Sequence, residues 1–112
     1  MIFYNQIHEK TYQQLCSKDD RELNAIAYLC ALSEAIADGS ANRLFDFDRR
    51  TVKPCALQEP WQTSNTIKIT SALLNMWNGY VYREQATIFD LFGAGLDRYL
   101  LQAIRLRYDI CD

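Results

Sequence analysis

The stretch WQTSNTIKITSALLNMWNG, residues 61–79, predicts the helix on which the rest of the fold depends. Thr63 or Ser64 can cap its start, and Gly79 can end it. Apolar side chains cover most of its circumference, which is typical of a helix at the centre of a domain. One face differs, because polar residues recur along it at spacings of three and four. These residues, the polar row, are Ser64, Lys68, Ser71, Asn75 and Asn78.

Helix signals also precede this stretch. Asn5 is a good N-cap for a first helix, which we expect to run to about Cys16. The side chains that this helix is expected to bury are Ile7, Tyr12 and Leu15. A strongly apolar second helix, RELNAIAYLCALSEAIA (21–37), follows an acidic cap and also belongs in the interior.

Two more helices are predicted after residue 79. Thr87 caps a short one, and Asp90 occupies the position expected in a capping box. LDRYLLQAIRLRYD (96–109) forms the last helix after a glycine-rich break. The sequence therefore predicts an all-α class, with about five helices packed around the central apolar helix 61–79.

Between residues 39 and 60 the helical periodicity is lost. Phe45 and Phe47 alternate there with Asp46 and Asp48, a pattern also found in strands. The segment is too short to build a sheet alone. We predict a packed loop with room for one helical turn.

Length and composition limit the class of protein. A chain of 112 residues is the size of one domain, so residues 1–112 are predicted to form a single all-α unit. The formal net charge of -2 argues against nucleic acid as the default partner. No apolar run approaches the roughly 18 residues of a membrane span, and the start lacks the features of a signal peptide. We expect a cytosolic protein without a membrane partner.

The cysteines favour reduced thiols over a metal site. Zinc ligands usually come in close pairs, and these four residues are scattered, with a single histidine in the whole chain. The cysteines are Cys16, Cys30, Cys55 and Cys111. No metal or cofactor is predicted.

No catalytic constellation is recognisable, which argues against an enzyme without excluding one. A small-ligand or enzyme site is the first alternative function, built from the paired acids Asp46 and Asp48 with Arg107 and His8. Arg107 interrupts the apolar stripe of the last helix, so it needs a carboxylate or carbonyl partner, for which Asp46 and Asp90 are candidates. His8 is expected to be half-buried, and structural roles remain the simpler explanation for this set.

The preferred hypothesis is a protein-binding surface. Trp61 and Gln62 place an aromatic ring and an amide at the start of the helix 61–79, next to the polar row. Packing of Trp61 in the core is the competing interpretation. The surface is thus predicted to be Trp61 and Gln62 with the polar row, and a homodimer is left open.

A nucleic-acid interface is the second alternative. Arg43, Arg49, Arg50 and Lys53 are bunched in the segment 39–60. A local basic patch can bind phosphate even when the whole chain is acidic. A solvated loop accounts for the same residues.

The order of several motifs resembles a family of small uncharacterised proteins of Firmicutes, often encoded on phages and other mobile elements. The motifs are WQTS, LNMWNG, DLF and AIRLRY, with LFDF at 44–47 and the spacing of His8, Tyr12 and Leu15. The resemblance covers nearly the whole chain and supplies no catalytic residues. It implies a mobile-element protein in a bacterial cytoplasm. By analogy, such a protein inhibits or regulates a host protein, for example a defence component.

Overall fold

The computed structural model describes residues 1–39, 43–53, 55–81 and 86–109, which fold into a helical bundle with one short hairpin. The helices are α1 (Gln6–Leu15), α2 (Arg21–Ile36), α3 (Ser64–Asn78), α4 (Ile88–Leu91) and α5 (Asp97–Tyr108). The strands β1 (Phe45–Asp46) and β2 (Thr51–Val52) form the hairpin, and Ala56–Gln58 forms a 3-10 turn. The predicted all-α bundle is confirmed. No helix in the described ranges is long and apolar enough to cross a membrane.

Short polar side chains cap the starts of α1 and α3 at the predicted positions. Asn5 Oδ1 accepts the His8 N–H at 2.9 Å and caps α1. At α3, the Thr63 hydroxyl accepts the Thr66 N–H, and Thr66 Oγ1 accepts the Thr63 N–H in return. Gly79 ends α3 at a φ of +80°, a left-handed conformation that favours glycine. The boundaries of α3 therefore follow from local chemistry.

Thr63→Ala is expected to lower the free energy of unfolding by about 1 kcal/mol, because it removes the acceptor at the α3 N-terminus. Ser64→Ala is the matched control, since Ser64 is exposed and does not cap the helix. Urea denaturation of both variants measures the difference. Equal stability of the two would show that the capping box contributes nothing to the fold.

The helix at the centre of the bundle is α2, not the predicted helix 61–79. Eleven of the 16 residues of α2 are buried, and α2 packs against α1, α3 and α5. In α3, by contrast, seven of the 15 residues are buried. Alanines at positions 25, 27, 31 and 35 let neighbouring helices approach α2 closely on several sides. Although α3 also carries large apolar side chains, its polar row leaves a smaller share of its residues buried than in α2.

The segment predicted as a packed loop contains an antiparallel hairpin. Phe45 pairs with Val52, and Asp46 pairs with Thr51. The turn between the strands places Arg50 at a φ of +55°. Phe45 is buried, and its ring lies 4.8 Å from the Trp77 ring of α3 in an edge-on contact. Packing on α3 thus stabilises a two-strand pair that would be too short alone.

The outward and inward faces of α1 differ from the prediction. Ile7, expected inside, is 39% exposed, whereas His8 is fully buried rather than half-buried. His8 Nδ1 accepts the Tyr4 N–H at 2.9 Å, and Nε2 donates to the Tyr28 carbonyl at 3.0 Å. Because both ring nitrogens find backbone partners, the imidazole can replace an apolar residue in the core. Tyr12 is buried as predicted, and Leu15 is half-buried.

Candidate interaction surface

The polar row on α3 does not form one continuous wet face. Ser64, Asn75 and Asn78 are exposed to solvent. Lys68 is half-buried, and Ser71 is only 1% exposed. Helix α4 lies against α3 and covers the middle of the row.

A capped turn holds α4 in place. The Thr87 hydroxyl accepts the Asp90 N–H, while Asp90 Oδ2 accepts the Thr87 N–H at 3.2 Å and the Thr87 hydroxyl at 2.7 Å. These hydrogen bonds hold the pKa of the Asp90 carboxyl below its usual range. Lys68 Nζ donates to the Asp90 carbonyl and so ties α4 to α3. The sequence predicted this capping box.

A groove of about 340 Å³ separates α3 from α4. Its lining, which defines the α3–α4 groove, is Ile67, Lys68, Ser71, Phe89 and Asp90. At its edge the Phe89 side chain is 90% exposed, and the adjacent Ile88 is 80% exposed. Such large apolar side chains in water are unfavourable, and a cluster of them is typical of a binding surface.

The floor of the α3–α4 groove carries an unpaired hydroxyl. Ser71 Oγ is buried and has no hydrogen-bond partner among the described residues. A buried hydroxyl without a partner is costly, so most such groups in proteins are satisfied. Lys68 lies one turn earlier on α3 and lines the same groove.

A second groove, about 190 Å³ in volume, lies on the other side of α4. Most of its lining is apolar and comes from α3, α5 and the segment 86–92 that contains α4, including Met76, Phe92 and Ile104. Ile88 and Tyr108 stand at its margin, and both are exposed. Apolar surface therefore continues from Phe89 around α4 towards α5.

Trp61 and Gln62 serve a different part of the structure. Gln62 Nε2 donates to the Ala56 carbonyl at 2.7 Å and to Thr70 Oγ1 at 3.1 Å, so it ties the 3-10 turn to α3. Trp61 is half-buried and lines a cavity of about 70 Å³ with Lys53. The structure brings Lys68 and Ser71 together in one groove, whereas Trp61 and Gln62 lie elsewhere.

Arg107, the residue that interrupts the apolar stripe of α5, has partners other than those predicted. Its Nε donates to the Met76 carbonyl at 3.3 Å, and its Nη2 lies 3.8 Å from Glu22 Oε1. The predicted partners Asp46 and Asp90 are occupied with local backbone groups. Arg107 thus links α5 to α3 and α2.

The remaining members of the ligand-site alternative are held in separate places. Asp46 Oδ1 accepts the N–H groups of Asp48 and Arg49 at 3.0 and 3.1 Å, which fixes the hairpin turn. Asp48 is exposed, and His8 is buried between α1 and α2. Asp46 and His8 therefore each have a structural role, in different parts of the fold.

A wider groove, about 610 Å³, lies at the start of α2 and has mixed charge. Arg50 Nη1 lies 2.5 Å from Asp20 Oδ2, and Arg107 and Glu22 also line the groove. The hydrogen bond from the Leu23 N–H, and to a smaller extent that from Arg50, hold the pKa of the Asp20 carboxyl below its usual range. Arg50 and Arg107 face acids of the same groove, whereas Arg21 pairs with Asp109 outside it, so most of the charge in the groove is balanced.

The basic segment proposed for nucleic acid is partly engaged in internal contacts. Arg50 pairs with Asp20 and lies over the Trp77 ring, with Cζ 5.3 Å from the ring centroid. Arg43 Nε is 4.0 Å from a Glu34 carboxylate oxygen, at the limit of an ion pair. Arg49 and Lys53 are exposed. These four cations therefore do not form an uncompensated patch.

Three of the four cysteines lie within the described ranges. Cys16 and Cys55 are free and exposed, whereas Cys30 is free and buried. Burial raises the pKa of the Cys30 thiol to about 12, which makes it a poor nucleophile. Cys111 lies outside the described residues. Within the described ranges, no group of three or more His, Cys, Asp or Glu side chains could hold a metal ion.

The exposure of Ile88 and Phe89 was missed by sequence reasoning, although a signal exists. TIFDLF (87–92) holds four large apolar side chains, and α4 is only four residues long. One helical turn can direct only part of them to the core, where Leu91 is buried and Phe92 is half-buried. The surplus apolar residues must then face outward.

The fold and this surface define a small helical-bundle protein with an exposed aromatic turn beside a partly closed groove. The chain belongs to a family of unknown function, DUF6075, whose profile matches residues 1–111. The resemblance to an uncharacterised family is thereby confirmed. No curated protein and no solved structure matches the chain.

Proposed function

We propose that this protein is a non-enzymatic protein-binding module, which a mobile element uses to inhibit or regulate a host protein in the bacterial cytoplasm. The observation that carries the binding proposal is the exposure of Ile88 and Phe89 on a capped turn beside the α3–α4 groove. Aromatic side chains with large contact area are frequent hot spots of protein interfaces. The host and the mobile element enter the proposal from the family resemblance alone.

The order of α4 favours binding as well. Reciprocal hydrogen bonds between Thr87 and Asp90, and the bond from Lys68 to the Asp90 carbonyl, fix the turn before any partner arrives. A side chain displayed on an ordered turn loses less conformational freedom on binding than one on a free loop. Phe89 therefore presents an anchor that is already positioned.

Phe89→Ser is expected to weaken capture of the partner by at least about tenfold, the loss typical of a hot-spot aromatic residue. The measurement is a pull-down with the tagged chain from a native-like bacterial lysate, in nuclease-treated and untreated halves. Because Phe89 is 90% exposed, the free energy of unfolding should be almost unchanged. Ile7→Ser is the matched control, since it removes a partly exposed apolar side chain from α1.

A protein captured equally by the wild type and by Phe89→Ser would contradict this surface. Capture that disappears after nuclease treatment would favour the basic segment 43–53 and nucleic acid instead. Partner binding retained by Ile7→Ser and lost by Phe89→Ser supports the proposal.

A further inference from the structure

The α3–α4 groove contains two polar groups with unused hydrogen-bonding capacity. Ser71 Oγ is buried without a partner. The Lys68 ammonium has three donor hydrogens, of which the Asp90 carbonyl accepts one. Both residues line the same groove on adjacent turns of α3. Two residues of the groove therefore have hydrogen-bond donors that no described acceptor uses.

The acid of this groove does not supply that acceptor. Asp90 directs its carboxylate to the N–H and hydroxyl of Thr87, and only its backbone carbonyl reaches Lys68. Among the described residues, no carboxylate oxygen lies within ion-pair distance of Lys68 Nζ. The Lys68 ammonium therefore forms no ion pair among these residues, although the charge of the Asp90 carboxylate acts on it from beyond ion-pair distance. The other walls of the groove, Ile67 and Phe89, are apolar.

We propose that the groove binds a carboxylate side chain of the partner protein, an Asp or Glu with an apolar residue beside it. Lys68 supplies the opposite charge, and rotation about the single χ1 angle of Ser71 turns its hydroxyl into the groove as a second donor. Phe89 and Ile67 cover the neighbouring apolar side chain. This inference rests on the proposed function and specifies the chemistry of its partner.

The charges favour a monoanion over a phosphate group. One ammonium and one hydroxyl match a single carboxylate, whereas phosphate recognition usually uses several cationic donors or the fork of an arginine. The Asp90 carboxylate, which is ionised at neutral pH, would also repel a dianion more strongly than a monoanion. A carboxylate on a flexible partner segment can enter with its charge next to Lys68.

The test is selection of short random peptides on the full-length protein, with the wild type, Lys68→Met, Lys68→Arg and Phe89→Ser as baits. The wild type and Lys68→Arg are expected to enrich peptides with an acid beside an apolar residue. Lys68→Met keeps most of the apolar stem and should lose the preference for the acid. Phe89→Ser should lose the enrichment altogether.

Binding of one enriched peptide then measures each contribution. Lys68→Met is expected to weaken binding by about tenfold, as for loss of a charge-assisted hydrogen bond, and the remaining affinity should depend less on salt. Ser71→Ala is expected to weaken binding while it raises the melting temperature, because it removes the unpaired hydroxyl. A residue with only a structural role would not combine weaker binding with higher stability.

The outcomes separate this inference from the proposed function. One outcome is that the enriched peptides depend on Phe89 but lack an acid and bind Lys68→Met as well as the wild type. That outcome would overturn the inference of a partner carboxylate and leave the proposed protein-binding surface intact. If Phe89→Ser enriches the same peptides as the wild type, both the partner carboxylate and the proposed protein-binding surface are overturned. Two further results would also overturn the partner carboxylate: displacement of the peptide by free glutarate at equal concentration, and a wild-type dimer that Phe89→Ser converts to a monomer.

Discussion

Acidification from about pH 7 to about pH 4 is expected to lower the free energy of unfolding by about 3 kcal/mol through His8 alone. His8 is fully buried, and burial lowers its pKa from 6.5 to about 4. The hydrogen bond to the Tyr28 carbonyl acts in the opposite direction and is the smaller effect. The imidazole is therefore neutral in the folded protein at neutral pH.

The sign follows from the two protonation equilibria. Above pH 6.5, His8 is neutral in both the folded and the unfolded chain, so its contribution does not change. Between pH 6.5 and about 4, the unfolded chain binds a proton that the folded chain does not, and stability falls with falling pH. Below pH 4 both states are protonated and the loss is complete.

Urea denaturation of the wild type and of His8→Gln across this pH range measures the effect. Glutamine retains an acceptor and a donor but does not titrate, so the difference in stability between the two proteins should shrink as the pH falls. Glu34, whose pKa is raised by burial, titrates in the opposite direction but is present in both proteins. A stability difference that stays constant from pH 7 to pH 4 would contradict neutral burial of His8.

The surroundings of His8 show why this histidine is structural. Its ring centroid lies 4.5 Å from that of Tyr28 and 5.2 Å from that of Phe3. Tyr28 donates its hydroxyl to the Ile2 carbonyl at 2.8 Å. The N-terminal segment, α1 and α2 therefore share one aromatic cluster around the imidazole. The only histidine of the chain is used to hold these elements together, and it is not accessible to a substrate.

Helix positions could be predicted because their signals are local. Asn5, Thr63 and Thr87 each cap a helix within three residues of the group that they bind. The choice of central helix could not be predicted in the same way. Apolar periodicity shows which faces avoid water. It does not show whether the neighbour is a long helix, as α1, α3 and α5 are around α2, or a short element, as α4 and the 3-10 turn are beside α3.

The candidate site was predictable only in part. Spacing placed Lys68 and Ser71 on one face of α3, and the structure keeps them in one groove. Helix α4 covers that face of α3, and this contact could not be predicted because α4 is separated from α3 in sequence. The prominence of Phe89 also depends on the shortness of α4, which leaves no second turn to bury the ring. The distribution of polar residues along the sequence also does not show that Gln62 binds the 3-10 turn and lies away from this groove.

Phe45→Ala is expected to lower the free energy of unfolding by about 4 kcal/mol, near the middle of the range for loss of a fully buried phenylalanine. Phe45 is 1% exposed, and its ring lies 5.0 Å from Phe47 and 4.8 Å from Trp77. The cavity would open between the hairpin and α3, where the backbone pair β1–β2 cannot collapse without breaking its register. Phe47→Ala is the matched control, because Phe47 is half-buried and should cost less. Urea denaturation measures the free energy of unfolding of both variants. A decrease below about 1 kcal/mol for Phe45→Ala would place the hairpin outside the cooperative core.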